Sequence, residues 1–170
     1  MDLPCLTLIL GGARSGKSRH AETLVERGPP PWVYVATAQP FDNEMRARIT
    51  AHRERRPKGW TTVEAPLEVA EALRATPRGA PVLVDCLTLW LTNLMLANSG
   101  VEAATDGLLA ACADVHGPVV LVSNEVGEGI VPENELARRF RDHAGVLHQR
   151  VAARADRVVL MVAGLPLVVK

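Results

Sequence analysis

The sequence predicts an α/β fold in which a mostly parallel central sheet is covered by helices on both faces. Three observations predict it. First, CLTLIL (5–10), WVYVAT (32–37), PVLVDC (81–86), PVVLVSN (118–124) and RVVLMVA (157–163) are continuous apolar runs. Strands buried on both faces require such runs, whereas a half-exposed strand alternates. Second, the spacers can hold helices over 17–27, 43–56, 67–75, 88–97, 102–115 and 134–154. Third, the first run passes straight into a glycine-rich loop and then a helix. TTVEA (61–65) and the terminal PLVVK (166–170) are candidate edge strands.

The loop narrows the fold to a P-loop nucleotide-binding fold. Gly11, Gly12, Ala13, Arg14, Ser15, Gly16, Lys17 and Ser18 satisfy G-x-x-x-x-G-K-[ST] in the strand–loop–helix setting that gives the pattern its meaning. Glycines let the backbone turn around phosphates and aim its N–H groups inward. Lys17 can reach the β- and γ-phosphates, the Ser18 hydroxyl can ligate Mg2+, and the helix from about Lys17 turns its positive end to the anion. Lysine is otherwise found only at Lys58 and Lys170, which makes Lys17 conspicuous. Gly28 and the prolines after it end the first helix.

Asp85 ends the third run, at the strand edge where ligands of an open α/β sheet gather, and offers magnesium a carboxylate. Between these elements lies FDNEMRARITAHRERRPKGW (41–60). Asp42, Asn43 and Glu44 suit a helix start. Met45, Ile49, His52 and Arg56 follow at spacings of four, three and four, so they share a helix face. From the residues alone, His52 is either a packed side chain or a nucleophile. Arg53, Arg55 and Arg56 are either a solvated charge run or a cradle for polyphosphate oxygens.

Downstream, Trp90, Leu91, Leu94, Met95 and Leu96 give the helix at 88–97 more apolar surface than a small sheet covers, and Asn93 interrupts it, as expected at an interface. SNEVGEGIVPEN (123–134) reads as an irregular loop on the ligand edge, lined by Glu125, Glu128, Glu133 and Asn134. His116 marks a helix end, and His143 and His148 fall on a long polar helix whose default is surface or subunit contact.

Composition sets the remaining bounds. The 170 residues are 48% hydrophobic, which suits one domain over 1–170, and no repeat or long linker divides it. Lys and Arg total 19 against 19 Asp and Glu, so the basic footprint of a general nucleic-acid binder is missing and no nucleic-acid partner is expected. No apolar run approaches the roughly 20 residues of a membrane helix, so no stable membrane insertion is expected. Cys5, Cys86 and Cys112 lack metal-ligand spacing, and Cys5 and Cys86 sit in apolar runs that suggest buried thiols. The odd count and the absence of a signal peptide favour a cytoplasmic setting. The additional domains of motors are absent, as is the N-K-x-D motif of GTP switches. Two classes remain on the residues alone: a small-molecule kinase or nucleotide-processing enzyme, and a small regulatory ATPase.

GGARSGKSRHAE (11–22), YVATAQ (34–39), DNEMRARITAHRERRP (42–57), VLVDCLTLWLTNLM (82–95) and VSNEVGEGIVPENELARRFRDHAGVLHQRVA (122–152) together closely resemble the bifunctional adenosylcobinamide kinase and adenosylcobinamide-phosphate guanylyltransferase family of cobalamin biosynthesis. The resemblance covers essentially the whole chain. It implies phosphorylation of the aminopropanol hydroxyl of adenosylcobinamide by ATP or GTP. It then implies transfer of GMP from GTP to adenosylcobinamide phosphate, through a GMP-histidine for which His52 is the matching residue and His20 a weaker candidate. It further implies nucleotide contacts at Val35, Ala36, Thr37, Arg53, Glu54, Arg55, Arg56, Glu64 and Asp85, the last standing where some relatives have glutamate. A homotrimer is implied as well. A kinase-only enzyme and a non-catalytic nucleotide-binding module are the competing readings.

Overall fold

The computed structural model describes residues 3–39, 50, 54 and 56–170. One seven-stranded sheet runs through them: β1 (Leu6–Gly11), β2 (Trp32–Ala36), β3 (Trp60–Glu64), β4 (Val82–Asp85), β5 (Val119–Val122), β6 (Arg157–Val162) and β7 (Leu165–Val168). The order is β3-β2-β4-β5-β1-β6-β7, and only β7, antiparallel to β6, breaks the parallel arrangement. Both short candidates are the edge strands. The helices are α1 (Lys17–Val25), α2 (Val69–Arg74), α3 (Leu87–Leu96), α4 (Val101–Asp114) and α5 (Glu135–Arg154). The helix expected over 43–56, with Met45, Ile49 and His52, lies outside the described residues except at 50, 54 and 56.

Successive strand residues feed two cores, which is why the runs are apolar throughout. Leu8, Val33, Val84 and Leu121 meet α2, α3, α4 and α5 on one face. Ile9, Tyr34, Leu83 and Val122 meet α1 on the other. Helices therefore do cover both faces, but unevenly among the described residues.

Several side chains sit differently from expectation. Cys5 is exposed because the β1 ladder begins one residue later. Asn93, expected at an interface, is 6% exposed; its amide donates to the carbonyls of Thr37 and Pro66, both at 2.9 Å. Trp90, Leu91 and Leu94 are enclosed around it, and Trp90 donates its indole N–H to the Leu67 carbonyl at 2.8 Å, leaving Leu96 as the exposed large apolar residue of α3. An amphipathic stripe, Ala144, Leu147, His148 and Val151, turns α5 onto the sheet. His148 is consequently buried, with its Nε2 2.7 Å from the hydroxyl of fully buried Ser123. Asn134 caps α5 by accepting the Ala137 N–H at 3.1 Å.

Where β2 and β4 stop pairing, Thr37 takes over. Its hydroxyl donates to the Cys86 carbonyl and accepts from the Cys86 N–H, both at 2.8 Å. Thr37→Val keeps the shape and orphans two buried backbone groups, so it is expected to cost about 3 kcal/mol in urea unfolding; a loss below about 1 kcal/mol rejects this reading of the joint.

His148 sets a pH dependence. Burial lowers its pKa below the ordinary value, and the charge of Glu125 opposes this only in part. The unfolded chain then binds the proton more readily, so stability falls as pH drops below about 6.5. His20 is shifted the same way by burial, Arg157 and Arg27. His148→Gln, which still offers Ser123 a partner, is expected to flatten part of the Tm decline between about pH 6.5 and pH 5; an unchanged slope excludes His148 as its source.

Candidate active site

The carboxyl ends of β1, β2, β4 and β5 open into a cleft of about 770 Å³. Its floor is the loop after β1. A Cβ on Gly11 would lie 2.6 Å from the Ser15 hydroxyl and 2.8 Å from the Met161 carbonyl, so only glycine permits the loop to fold this closely on β6. Gly16 caps α1 with φ at 92°, a left-handed conformation that glycine adopts without strain. These two positions aim the loop and the positive end of α1 into the cleft.

Lys17 opens α1 and is 8% exposed; its ammonium folds back to donate to the Gly12 carbonyl at 2.7 Å. Burial lowers its pKa, opposed by negative charge at Cys86 and Asp85. The Cys86 thiol is itself pushed up to about 11, chiefly by burial, so near neutral pH the opposition comes from Asp85. Asp85 ends β4 beside Ala36 and Val122, one strand removed from β1. The Tyr34 hydroxyl donates to its Oδ2 at 3.1 Å. Burial, then the charge of Asp85, holds the Tyr34 pKa well above its ordinary value, so the phenol keeps its proton and remains a donor. The guanidinium of Arg56 lies 3.7 Å from the centre of the Tyr34 ring and donates to the Thr62 hydroxyl at 3.3 Å.

β5 supplies the fourth wall. Ser123 N–H donates to Ile9 and Glu125 N–H to Gly11, at 2.9 and 3.0 Å, so the chain leaving β5 stays pinned to the phosphate-loop strand. The Asn124 amide donates to the Thr88 hydroxyl at 2.8 Å, which lies 3.1 Å from the Cys86 sulfur. Glu125 faces the cleft, and its Oε1 accepts the Gly127 N–H at 2.6 Å.

The fold thus brings most of the expected residues together. Ala13 to Ser18, Ala36, Arg56, Glu64 and Asp85 line the cleft. Val35 and Thr37 do not: both are fully buried, Val35 in the core beneath and Thr37 with its side chain bound to Cys86. Gly11 and Gly12 shape the loop from behind, and Glu54 is exposed and does not line the cleft. His52, Arg53 and Arg55 lie outside the described residues. Sequence reasoning missed Tyr34, although it is the sole tyrosine and stands in an otherwise apolar strand near the ligand edge. It also gave Asn124 no role. A smaller hollow of about 310 Å³, lined by Arg74, Arg78, Asp114 and His116, sits at the opposite edge of the sheet, where α2 and α4 lead into β4 and β5.

Chemically, backbone N–H groups, a helix terminus and a buried lysine form a polyphosphate seat, faced by one carboxylate held by a phenol and one guanidinium held by an aromatic ring. Among the described residues no helix is long and apolar enough to cross a membrane.

Comparison with known proteins agrees over nearly the full length. Residues 7–169 match the family model described as cobinamide kinase / cobinamide phosphate guanyltransferase. The bifunctional adenosylcobalamin biosynthesis protein CobP of Pseudomonas aeruginosa is 51% identical over 166 residues, covering 96% of each chain. The corresponding CobU protein of Salmonella typhimurium is 45% identical over 182 residues, covering 97% of this chain and 99% of its own. Among solved structures, a Pyrococcus horikoshii OT3 protein superposes with a TM-score of 0.58 at 8% identity, covering 99% of this chain and 88% of its own. The RadB recombinase superposes at 0.56 with 19% identity, covering 93% and 74%. The distant structures share the fold, and the close relatives share the sequence over nearly the full length: the chain belongs to the cobinamide kinase / cobinamide phosphate guanyltransferase family.

Proposed function

We propose that this chain phosphorylates the aminopropanol hydroxyl of adenosylcobinamide with ATP or GTP, and then transfers GMP from GTP to the resulting phosphate, giving adenosylcobinamide-GDP and pyrophosphate. The observation that carries the reading is Lys17, buried at the mouth of α1 and folded onto its own loop, in the same cleft as Asp85. Membership of the family supplies the substrates. One domain over 1–170 serves both reactions. The three cysteines are free, in keeping with a reducing, cytoplasmic setting.

In the first reaction the side-chain hydroxyl attacks the γ-phosphorus, and the bond to the β,γ-bridging oxygen breaks. Ala13 to Ser18 hold the polyphosphate, and Lys17 exchanges the Gly12 carbonyl for phosphate oxygens, countering the charge that builds on them. Among the described residues no three His, Cys, Asp or Glu side chains are placed to hold a metal by themselves. Mg2+ takes one or two protein oxygens beside substrate phosphates, so it requires no such cluster. Ser18 and Asp85 would hold it, with Tyr34 fixing the Asp85 carboxylate, and when bound it neutralises phosphate charge. In the second reaction His52 attacks the α-phosphorus of GTP and pyrophosphate leaves. The phosphate of adenosylcobinamide phosphate then displaces the histidine. A neutral imidazole suits both roles, since it has a free lone pair near pH 7 and can leave from phosphorus again. Arg56 lines the cleft wall, and Arg53, Glu54 and Arg55 belong to the same guanine-nucleotide segment.

The reading also takes the chain to be a homotrimer. What supports it is β7, where Leu165, Leu167 and Val168 stand exposed along an edge that pairs with no other strand among the described residues, while the apolar residues of α3 are mostly enclosed. Sedimentation equilibrium at assay concentration is expected to return three chain masses, and a monomer there overturns this element.

Two variants assayed for both half-reactions test the chemistry. Lys17→Ala is expected to lower adenosylcobinamide phosphorylation by about 10²-fold or more; near wild-type turnover means that the phosphate seat is misassigned. His52→Ala is expected to abolish covalent labelling by GTP carrying label at the α-phosphate and to stop adenosylcobinamide-GDP formation, while phosphorylation persists at least in part. The wild-type adduct is expected to be acid-labile and alkali-stable, as a phosphoramidate is, and to map to the tryptic peptide holding His52. Label on another histidine removes the role from His52, and no label in the wild type removes the covalent route.

A further inference from the structure

Resting on the kinase reading above, we infer that Glu125 accepts the proton of the hydroxyl being phosphorylated, and that His148, braced by Ser123, is the positioning residue that holds it there. Three side chains form a file from the core to the cleft. Ser123 is fully buried and its hydroxyl lies 2.7 Å from His148 Nε2. His148 is 7% exposed, and its Nδ1 lies 3.9 Å from Glu125 Oε2. Glu125 opens onto the cleft. With Ser123 donating to Nε2, the neutral ring keeps its proton on Nδ1, the nitrogen that faces the carboxylate. At 3.9 Å the contact is longer than a hydrogen bond, and a small rotation of Glu125 closes it.

Topology selects this acid from the three that line the described cleft. Asp85 is bound to Tyr34 and placed for the metal. Glu64 ends β3, the edge strand, with β2, β4 and β5 between it and β1. Glu125 follows β5, the immediate neighbour of β1, and its own N–H is fastened to Gly11 at the start of the phosphate loop. Its Oε1 accepts the Gly127 N–H, while Oε2, the oxygen nearer His148 Nδ1, keeps a lone pair for the hydroxyl proton. In the step, the hydroxyl oxygen bonds to the γ-phosphorus, the bridging bond breaks with its electrons leaving on the nucleoside diphosphate, and the hydroxyl proton passes to Oε2.

A purely structural Glu125 would cap the turn at Gly127 and nothing more. Glu125→Gln separates the two, because an amide oxygen still accepts the Gly127 N–H but cannot take the proton. The wild-type enzyme, shown first to turn over ATP in an adenosylcobinamide-dependent manner, provides the reference; without that turnover the kinase reading itself fails. Given it, Glu125→Gln is expected to lower kcat for phosphorylation by about 10² to 10⁴-fold, with the KM for ATP changed less than about threefold and the Tm held. His148→Phe is expected to lower kcat about tenfold or more, His148→Gln to recover most of it, and the Glu125→Gln/His148→Phe double variant to be no slower than Glu125→Gln alone. A kcat near wild type in Glu125→Gln overturns the proton acceptor. Losses that multiply in the double variant, or a His148→Gln no better than His148→Phe, overturn the positioning role.

Discussion

The site depends on how neighbouring strands are fastened at the edge where their ladders end. A parallel sheet leaves backbone donors and acceptors without partners there, at the depth where burial makes an open group expensive. Thr37 closes β2 onto β4 through Cys86, Asn93 ties Thr37 to the connection ahead of α2, and Asn124 ties β5 to Thr88 at the start of α3. Almost every member is a small uncharged side chain saturated by another part of the chain. This polar layer lets Asp85, Ala36 and Glu125 protrude as a wall on a rigid base.

The charges above that layer are arranged in pairs of unlike character. Lys17 is short of water, so its positive charge is costly until an anion arrives, and a buried cation beside an open cleft is a site organised around phosphate rather than around itself. Asp85 and Arg56 are each set by Tyr34, one through the phenol and the other through the ring face, so one aromatic residue orients a carboxylate and a guanidinium.

The strands and the phosphate loop were legible because they follow from local rules. Runs buried on two faces must be apolar throughout, and Gly11, Gly16, Lys17 and Ser18 stand at a spacing fixed by loop geometry. Of the positions the resemblance pointed to, Ala36, Arg56, Glu64 and Asp85 fall together on the walls of one cleft. What escaped was decided by side-chain direction. Thr37 and Val35 follow or belong to the right strand and turn inward. Asn93 looked like an interruption because its partners, the carbonyls of Thr37 and Pro66, are far away in sequence. His148 was readable in principle, four residues after Ala144 and three before Val151 on one stripe, but the charged residues around it on α5 concealed a narrow apolar face.

The position of β1 has a consequence for the order in which the molecule can be made. It precedes the other six strands in chain order, yet its neighbours in the sheet are β5 and β6, with Leu8 beside Leu121 on one side and Val158 on the other. Such distant pairings carry the loop-closure entropy that slows folding. The phosphate loop is therefore written early and held late: β5 follows more than 100 residues behind β1, and β6 later still. A nascent chain that still lacks β6 leaves β1 with an open edge, the segment a chaperone would have most reason to shield.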